Sequence, residues 1–194
     1  MNPEREVTLY PAFLKLVGRP VLLVGGGRVA AGKLRGLLDA GAQVTVVAPR
    51  IGKDMHWEGV RIVLRPFEPA DLDGCWFVVA AGTPEVNREV AEAAHARRLF
   101  VNAVDDPGAA SAYLGGVVRK GGVTVAVSTE GRAPALAGLL REALEKLLPE
   151  DLAGWIASAE RLRVRWREDG VPVEARRPLL LRALHELYSA RGQA

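Results

Sequence analysis

The first half of the chain alternates short apolar runs with segments whose apolar residues recur at helical spacing. Residues 29–40 and a segment that starts at Thr83 have apolar side chains three and four positions apart, which predicts helices. Five continuous apolar runs predict strands at 20–24, 43–47, 60–64, 75–80 and 99–104. Apolar strands separated by helices are typical of a parallel sheet covered on both faces, so we predict an open α/β fold.

The pattern changes after Pro107. Two apolar runs, 113–118 and 123–127, flank a glycine-containing turn and predict a strand pair. From Pro134 onward the spacing is helical almost to the end of the chain, with a break near Gly170. We therefore predict three regions, which are the parallel-sheet domain at 1–110, a strand-plus-helix region at 111–149 and a C-terminal helical domain at 150–194.

The strand-plus-helix region has a leucine stripe and little core of its own. The stripe consists of Leu136, Leu139, Leu140, Leu144 and Leu147. A second copy of the chain would cover this face and give a two-fold homodimer, so we expect 111–149 to be a dimerisation region. The alternative is that these helices fold back on the sheet of their own chain.

Composition narrows the class of protein. The chain has 194 residues, 49% of them hydrophobic and 25% charged, which is typical of a globular protein. The single cysteine, Cys75, excludes an internal disulfide framework and a multi-cysteine zinc site, and the three histidines lack ligand spacing. No apolar run reaches the roughly 18 residues of a membrane span, and the first residues lack the apolar core of a signal peptide. We expect a cytoplasmic protein with no membrane association and no metal site.

The basic residues are spread along the chain. There are 26 of them against 23 acidic residues, and they form no tail or cluster, which argues against a nucleic-acid partner. The small excess leaves open an anionic small-molecule ligand or a solvated surface.

A glycine motif follows the first predicted strand. Gly25-Gly26-Gly27-Arg28-Val29-Ala30 is G-x-G-x-x-A between a strand and a helix, the arrangement that binds a dinucleotide. The first glycine allows the tight turn, the second allows close approach of a pyrophosphate, and the alanine allows the helix to pack closely. The motif predicts that 1–110 is an NAD-binding domain of the Rossmann type, the alternative being a glycine-rich turn that binds no ligand.

The usual ribose-binding acid is absent from the end of the second strand. That strand is followed by Ala48, Pro49 and Arg50. Arg50 would suit a 2′-phosphate, whereas backbone groups alone would suit an unmodified ribose, so the residues leave NAD and NADP both open.

Two further segments carry candidate chemistry. Asp105 and Asp106 end the fifth predicted strand, where an acid faces the cofactor cleft, although turn formation explains an Asp-Asp-Pro sequence equally well. The segment from Ser128 to Pro134 joins a strand to the leucine-striped helix and suits either an anion or a helix cap.

Four blocks together resemble the siroheme synthase and precorrin-2 dehydrogenase family. They are the segment from Pro11 to Leu34 around the glycine motif, Val44–Pro49, Val101–Pro107 and Val125–Ala137. They cover about residues 11–150 in order, and the chain resembles the stand-alone form without a methyltransferase domain. Gly82-Thr83-Pro84 and Tyr113–Gly116 depart from the family pattern.

The resemblance implies an activity and roles for particular residues. The family oxidises precorrin-2, a tetrapyrrole with eight carboxylates, to sirohydrochlorin with NAD⁺, and some members insert Fe²⁺ to give siroheme. It implies that Asp105 is the catalytic acid/base, that Ser128 contacts the tetrapyrrole, and that the chain forms a homodimer. The cofactor contacts it implies are Gly25, Gly27, Arg28, Val29, Pro49 and Arg50. Arg119, Arg132 and Arg141 are candidate anchors for substrate carboxylates.

Two other functions stay open. One is a dehydrogenase without chelatase activity. The other is a regulatory module that binds a dinucleotide and performs no chemistry, for which an acid at position 105 has no use.

Overall fold

The computed structural model describes residues 9–52 and 59–191, which form two compact units. The first unit extends to Leu114 and also includes Glu130–Ala133. The second consists of Gly115–Thr129 and the chain from Pro134 onward. His56 lies outside the described residues.

The first unit is built on a parallel five-stranded sheet. Its strands are β1 (Pro20–Val24), β2 (Gln43–Val47), β3 (Arg61–Val63), β4 (Phe77–Ala80) and β5 (Phe100–Ala103). The helices are α1 (Arg28–Asp39) and α2 (Pro84–Ala96), with a short 3-10 helix at Pro69–Leu72. The strand order β3-β2-β1-β4-β5 is that of the Rossmann fold, so the predicted fold class is confirmed.

The core of the first unit lies on the two faces of this sheet. On one face Leu23, Val46 and Val79 pack with Leu34 of α1. On the other face Leu22, Val78 and Val101 pack with Val90 of α2. Because β1 is hydrogen-bonded to β2 and β4, its side chains are buried on both faces, which explains its unbroken apolar sequence.

Strand boundaries differ from the prediction by one residue at each end of β3 and β5, and by more at the start of two other runs. β4 begins at Phe77 and not at residue 75, although the Trp76 N–H already donates to the Pro20 carbonyl at 2.9 Å. The run predicted at 113–118 becomes a strand only at Gly116. The residues before it run beside β5, because the Ser111 and Ala112 N–H groups both donate to the Val101 carbonyl at 2.9 and 3.0 Å.

The second unit contains a hairpin and helices. β6 (Gly116–Lys120) and β7 (Val123–Val127) pair antiparallel, as predicted, with Val118 opposite Val125. They are followed by α3 (Pro134–Leu147), α4 (Leu152–Glu168) and α5 (Val173–Arg191). Among its described residues only Val118, Ala137 and Leu152 are buried apolar side chains, whereas much of the leucine stripe is exposed.

No helix among the described residues is both long enough and apolar enough to cross a bilayer.

Candidate active site

The glycine loop connects β1 to α1 at the carboxyl edge of the sheet. Gly25 has a φ of +129°, and a Cβ there would collide with the Ala81 carbonyl oxygen. Gly26 is equally crowded, because its Cβ would meet the carbonyl oxygen of Arg50. By contrast, a Cβ on Gly27 would meet no atom within 4 Å, so this backbone faces open space.

The first backbone N–H groups of α1 have no side-chain cap, and their partial positive charge faces this open space. Gly27 is the N-cap and has no side chain to accept from the first N–H groups, and no acid lies in the first turn. Ala30 is fully buried, so α1 lies directly against the sheet. Two crowded glycines, one open glycine and an uncapped helix start fit the pyrophosphate of a dinucleotide.

The loop after β2 is joined to the glycine loop. The Gly52 N–H donates to the Gly26 carbonyl at 2.9 Å, and the Gly25 N–H donates to the Val47 carbonyl at 2.9 Å. Pro49 and Arg50 are both exposed beside this junction. The structure therefore brings the predicted cofactor residues together, with Arg28 and Val29 also exposed at the start of α1.

Asp105 lies just after β5, at the same carboxyl edge. Its φ is +59°, a left-handed conformation that is uncommon outside glycine. The side chain is exposed. Non-glycine residues in this region cost free energy and cluster at functional sites, so the conformation is a second reason to single out Asp105.

Lys33 extends the electrostatics of this edge. It lies on α1 and is partly buried. Burial lowers the pKa of Lys33, and attraction to the Asp105 carboxylate opposes part of that change. A lysine in the electrostatic range of Asp105 can also attract an anionic ligand.

The other predicted substrate residues are distributed between the two units. Ser128 directly follows β7 and is exposed in the second unit, whereas Asp105 belongs to the first. The segment Glu130–Ala133 returns to the first unit, where a Cβ on Gly131 would lie 3.0 Å from Pro107 Cγ. Arg132 is exposed in this segment and pairs with Glu130 at 3.2 Å.

The remaining candidate anchors, Arg141 and Arg119, differ in the ion pairs that their side chains form within the protein. Arg141 forms ion pairs with Glu142 at 3.1 Å and Glu145 at 3.0 Å on its own helix, which makes it a poor anchor for a ligand. Arg119 is exposed on β6. No group of three His, Cys, Asp or Glu side chains within 9–52 and 59–191 is arranged to hold a metal ion.

Sequence reasoning missed three residues of this edge. Gly26 occupies the variable position of the motif, yet a Cβ there would collide with the Arg50 carbonyl oxygen. Asn87 is 3% exposed on α2, and its amide bonds to both Gly82 and Val104. Lys33 gave no signal beyond its place on α1. A polar residue on the buried face of α2, at the spacing of Ala91 and Ala94, was the signal that could have identified Asn87.

Asn102 on β5 was part of a resembling block but had no assigned role. It is 7% exposed, and its Nδ2 donates to the Ala112 carbonyl at 2.9 Å. Its Oδ1 is buried and has no hydrogen-bond partner among the described residues. The amide holds the segment that leads toward β6 against the last strand of the sheet.

Comparison with protein families covers most of the chain. A family model described as putative NAD(P)-binding matches residues 12–116. A second model, described as the central region of sirohaem biosynthesis proteins, matches residues 120–147.

Curated relatives point in the same direction. The chain is 45% identical over 160 residues to siroheme synthase 3 of Aeromonas hydrophila, which covers 80% of this chain and 34% of that protein. It is 44% identical over 172 residues to siroheme synthase 2 of Klebsiella pneumoniae, which covers 86% of this chain and 38% of that protein. The chain thus spans a little over a third of the length of these relatives.

A solved structure named SirC, precorrin-2 dehydrogenase, is similar in fold. The two share 27% sequence identity and a TM-score of 0.69, over 90% of this chain and 88% of that one. This likeness extends across nearly the whole of both chains.

Proposed function

Because the chain belongs to the siroheme synthase and precorrin-2 dehydrogenase family, we propose that it oxidises precorrin-2 to sirohydrochlorin with NAD⁺. The observation that carries the proposal is the shared position of two features. The glycine loop and Asp105 lie at the same carboxyl edge of one parallel sheet, where ligands of open α/β sheets bind.

The chemistry requires the substrate to lose a hydride and a proton. NAD⁺ supplies the hydride acceptor when it is bound. Asp105 takes the proton at a carboxylate oxygen, which its exposure at the end of β5 allows. The protein contributes mainly by holding the tetrapyrrole and NAD⁺ close together and in the correct orientation.

Each cofactor residue has a defined task in this proposal. The open backbone at Gly27 and the first N–H groups of α1 would hold the pyrophosphate, and the absence of side chains at Gly25 and Gly26 lets the loop pack against its neighbours. Pro49 and Arg50, both exposed beside the glycine loop, would contact the adenosine ribose. Ser128 and Arg132 contact the tetrapyrrole, and the arginine pairs with one of its carboxylates.

We expect the chain to act as a homodimer. The exposed leucines of α3 support this, since a monomer would leave Leu136, Leu139 and Leu147 in water at 49%, 64% and 76% exposure.

The decisive experiment is turnover by the purified protein. With precorrin-2 and NAD⁺ under anaerobic conditions, we expect NADH and sirohydrochlorin to form in equal amounts. Absorbance spectroscopy monitors both products. Replacing Asp105 by Asn should lower kcat by about 10²–10⁴-fold and leave the Kd for NAD⁺ within about threefold. The matched control is Asp39→Asn, which changes an exposed acid at the far end of α1.

The alternative functions give different results in these assays. A regulatory module would bind NAD⁺ and never reduce it, and an Asp105→Asn protein at full rate would refute the role of that residue. Incubation with sirohydrochlorin and Fe²⁺ measures iron insertion directly, with siroheme formation as the readout.

A further inference from the structure

Asn87 connects the loops that follow β4 and β5. Its Oδ1 accepts from the Gly82 N–H at 2.8 Å, and its Nδ2 donates to the Val104 carbonyl at 3.1 Å. The partners settle the orientation of the amide, because a backbone N–H can only donate and a carbonyl can only accept. At 3% exposure, neither bond competes with bulk water.

The two loops are the ones that flank the proposed reaction. Gly82 follows Ala81, whose carbonyl oxygen occupies the space that a Cβ on Gly25 would need. Val104 precedes Asp105, whose left-handed backbone persists only if its surroundings hold it. Asn87 thus links Gly82, in the loop that lies against Gly25, to the residue before the proposed proton acceptor through two hydrogen bonds.

The residue after Asp105 is held from the same helix. Arg88 pairs with the Asp106 carboxylate at 3.4 Å, and the Asp106 Oδ1 also accepts from the Ala109 N–H at 3.2 Å. Arg88 is 63% exposed, so its ion pair contributes little, whereas the Asn87 bonds are buried. The peptide before Asp105 is therefore held by the buried Asn87 bond, whereas Arg88 contacts only the side chain of the residue after it.

We propose that Asn87 is a positioning residue that sets the location of the Asp105 carboxylate relative to the glycine loop. This inference rests on the proposed dehydrogenase function. Asn87 faces the protein interior and touches neither reactant, so its effect passes through the Val104–Asp105 backbone. Displacing a catalytic group by about 1 Å costs roughly 10²-fold in rate, which makes this contact measurable.

Two substitutions separate the two bonds of Asn87. Asn87→Asp keeps an acceptor for Gly82 but places a second acceptor against the Val104 carbonyl, whereas Asn87→Ala removes both bonds. We expect kcat to fall by about 10- to 100-fold in both variants, with the KM for precorrin-2 nearly unchanged. The Kd for NAD⁺ should rise only in the alanine variant, since only that variant releases the Gly82 loop.

The control is Glu92→Gln, an exposed change on α2 that should leave kcat and Kd at wild-type values. Hydrogen exchange in the ligand-free protein gives a readout independent of activity, and the amides of residues 106 and 108–110 should exchange faster in both Asn87 variants. If neither Asn87 variant folds, Asp106→Ala releases the neighbouring residue from its exposed side and should lower kcat several-fold.

The outcomes distinguish this inference from the function it rests on. A wild-type protein that binds NAD⁺ but does not oxidise precorrin-2 refutes the proposed function, while the exchange measurement still tests the Asn87 contact. An active wild type together with wild-type kcat in a folded Asn87→Asp protein overturns the inference. A rise in KM without loss of kcat also overturns it.

Discussion

Lys33 of α1 lies within electrostatic range of Asp105, although burial governs its ionisation. Burial lowers the pKa of the Lys33 ammonium, and the Asp105 carboxylate restores only part of the change. No described residue forms a hydrogen bond or a close ion pair with the Lys33 ammonium. Burial of the ammonium therefore outweighs its attraction to Asp105, and the charge is kept at a net cost in stability.

Replacing Lys33 by Met should raise the thermal stability of the protein and lower its dehydrogenase activity. The methionine keeps the apolar stem and removes the charge, so we expect the Tm at pH 7 to rise by about 1–3 °C after allowance for solvent screening. The pKa of Lys33 is lower in the folded protein than in the unfolded chain. The wild-type protein is therefore destabilised by the full cost of burying the ammonium when the pH is below the folded-state pKa. It regains this stability as the pH rises towards the unfolded value of 10.5. The gain in the variant should therefore shrink as the pH rises through the folded-state pKa towards 10.5.

Thermal unfolding across this pH range measures the effect, and Lys146→Met, at an exposed position of α3, is the control. In the dehydrogenase assay, Lys33→Met should lower kcat/KM for the polycarboxylate substrate. A variant that is less stable than wild type at pH 7 would show that the ammonium is favourable where it lies.

Gly27, at the N-cap of α1, and Gly32, inside α1, offer a matched pair of glycine-to-alanine changes. In both cases an added Cβ meets no protein atom within 4 Å, so neither change should disturb the fold. Gly32→Ala lies inside α1 and should raise the free energy of unfolding by about 0.5–1 kcal/mol, as alanine favours helix. Gly27→Ala should lower NAD⁺ affinity by about tenfold or more, since its methyl enters the space assigned to the pyrophosphate.

Calorimetric titration with NAD⁺ and urea unfolding of both variants check these expectations. Equal NAD⁺ affinity in the Gly27→Ala and wild-type proteins would remove the glycine loop from the binding site.

Much of the first unit could be predicted because its signals are local. Apolar strands such as β1 and β4 are buried on both faces, and the glycine motif occurs at the first strand–helix junction, so periodicity and motif agree. The 3-10 helix at Pro69–Leu72 was missed because four residues carry no periodicity.

The missed parts of the site depend on contacts distant in sequence. Asn87 gains its role from Val104, 17 residues away, and nothing in the local pattern of α2 reveals that partner. The left-handed backbone of Asp105 is set by the same surroundings. Likewise, the return of Glu130–Ala133 to the first unit follows from packing against Pro107 and Tyr113, which no local rule predicts.

Asp71 should make the stability of the first unit sensitive to acid. A double hydrogen bond from Arg65, at 2.5 and 2.8 Å, lowers the pKa of the Asp71 carboxyl, and the Glu68 N–H adds a third bond at 2.9 Å. This stabilisation is complete above the ordinary value of 3.8 and is lost as the pH falls through the lower folded-state pKa. We expect Asp71→Asn to lower the Tm by about 2–4 °C at pH 7 and by progressively less below about pH 4.

Thermal unfolding at a series of pH values tests this, with Asp73→Asn, a more exposed acid beside the same turn, as the comparison. A constant difference between wild type and Asp71→Asn down to pH 2 would mean that the charge of Asp71 is irrelevant and that only its shape matters.

Leu139 should control self-association. It is 64% exposed on α3, between Leu136 and Leu147, and burying a leucine contributes about 1.5–3 kcal/mol. Leu139→Glu places a charge in this apolar face, so light scattering should report a shift from the dimer mass to the monomer mass at micromolar concentration. Lys146→Glu introduces the same negative group at an exposed polar position of α3 and should leave the dimer intact. An unchanged mass for Leu139→Glu would place any subunit contact on another surface, and a monomeric wild type would mean that the leucine face is covered by something other than a second copy.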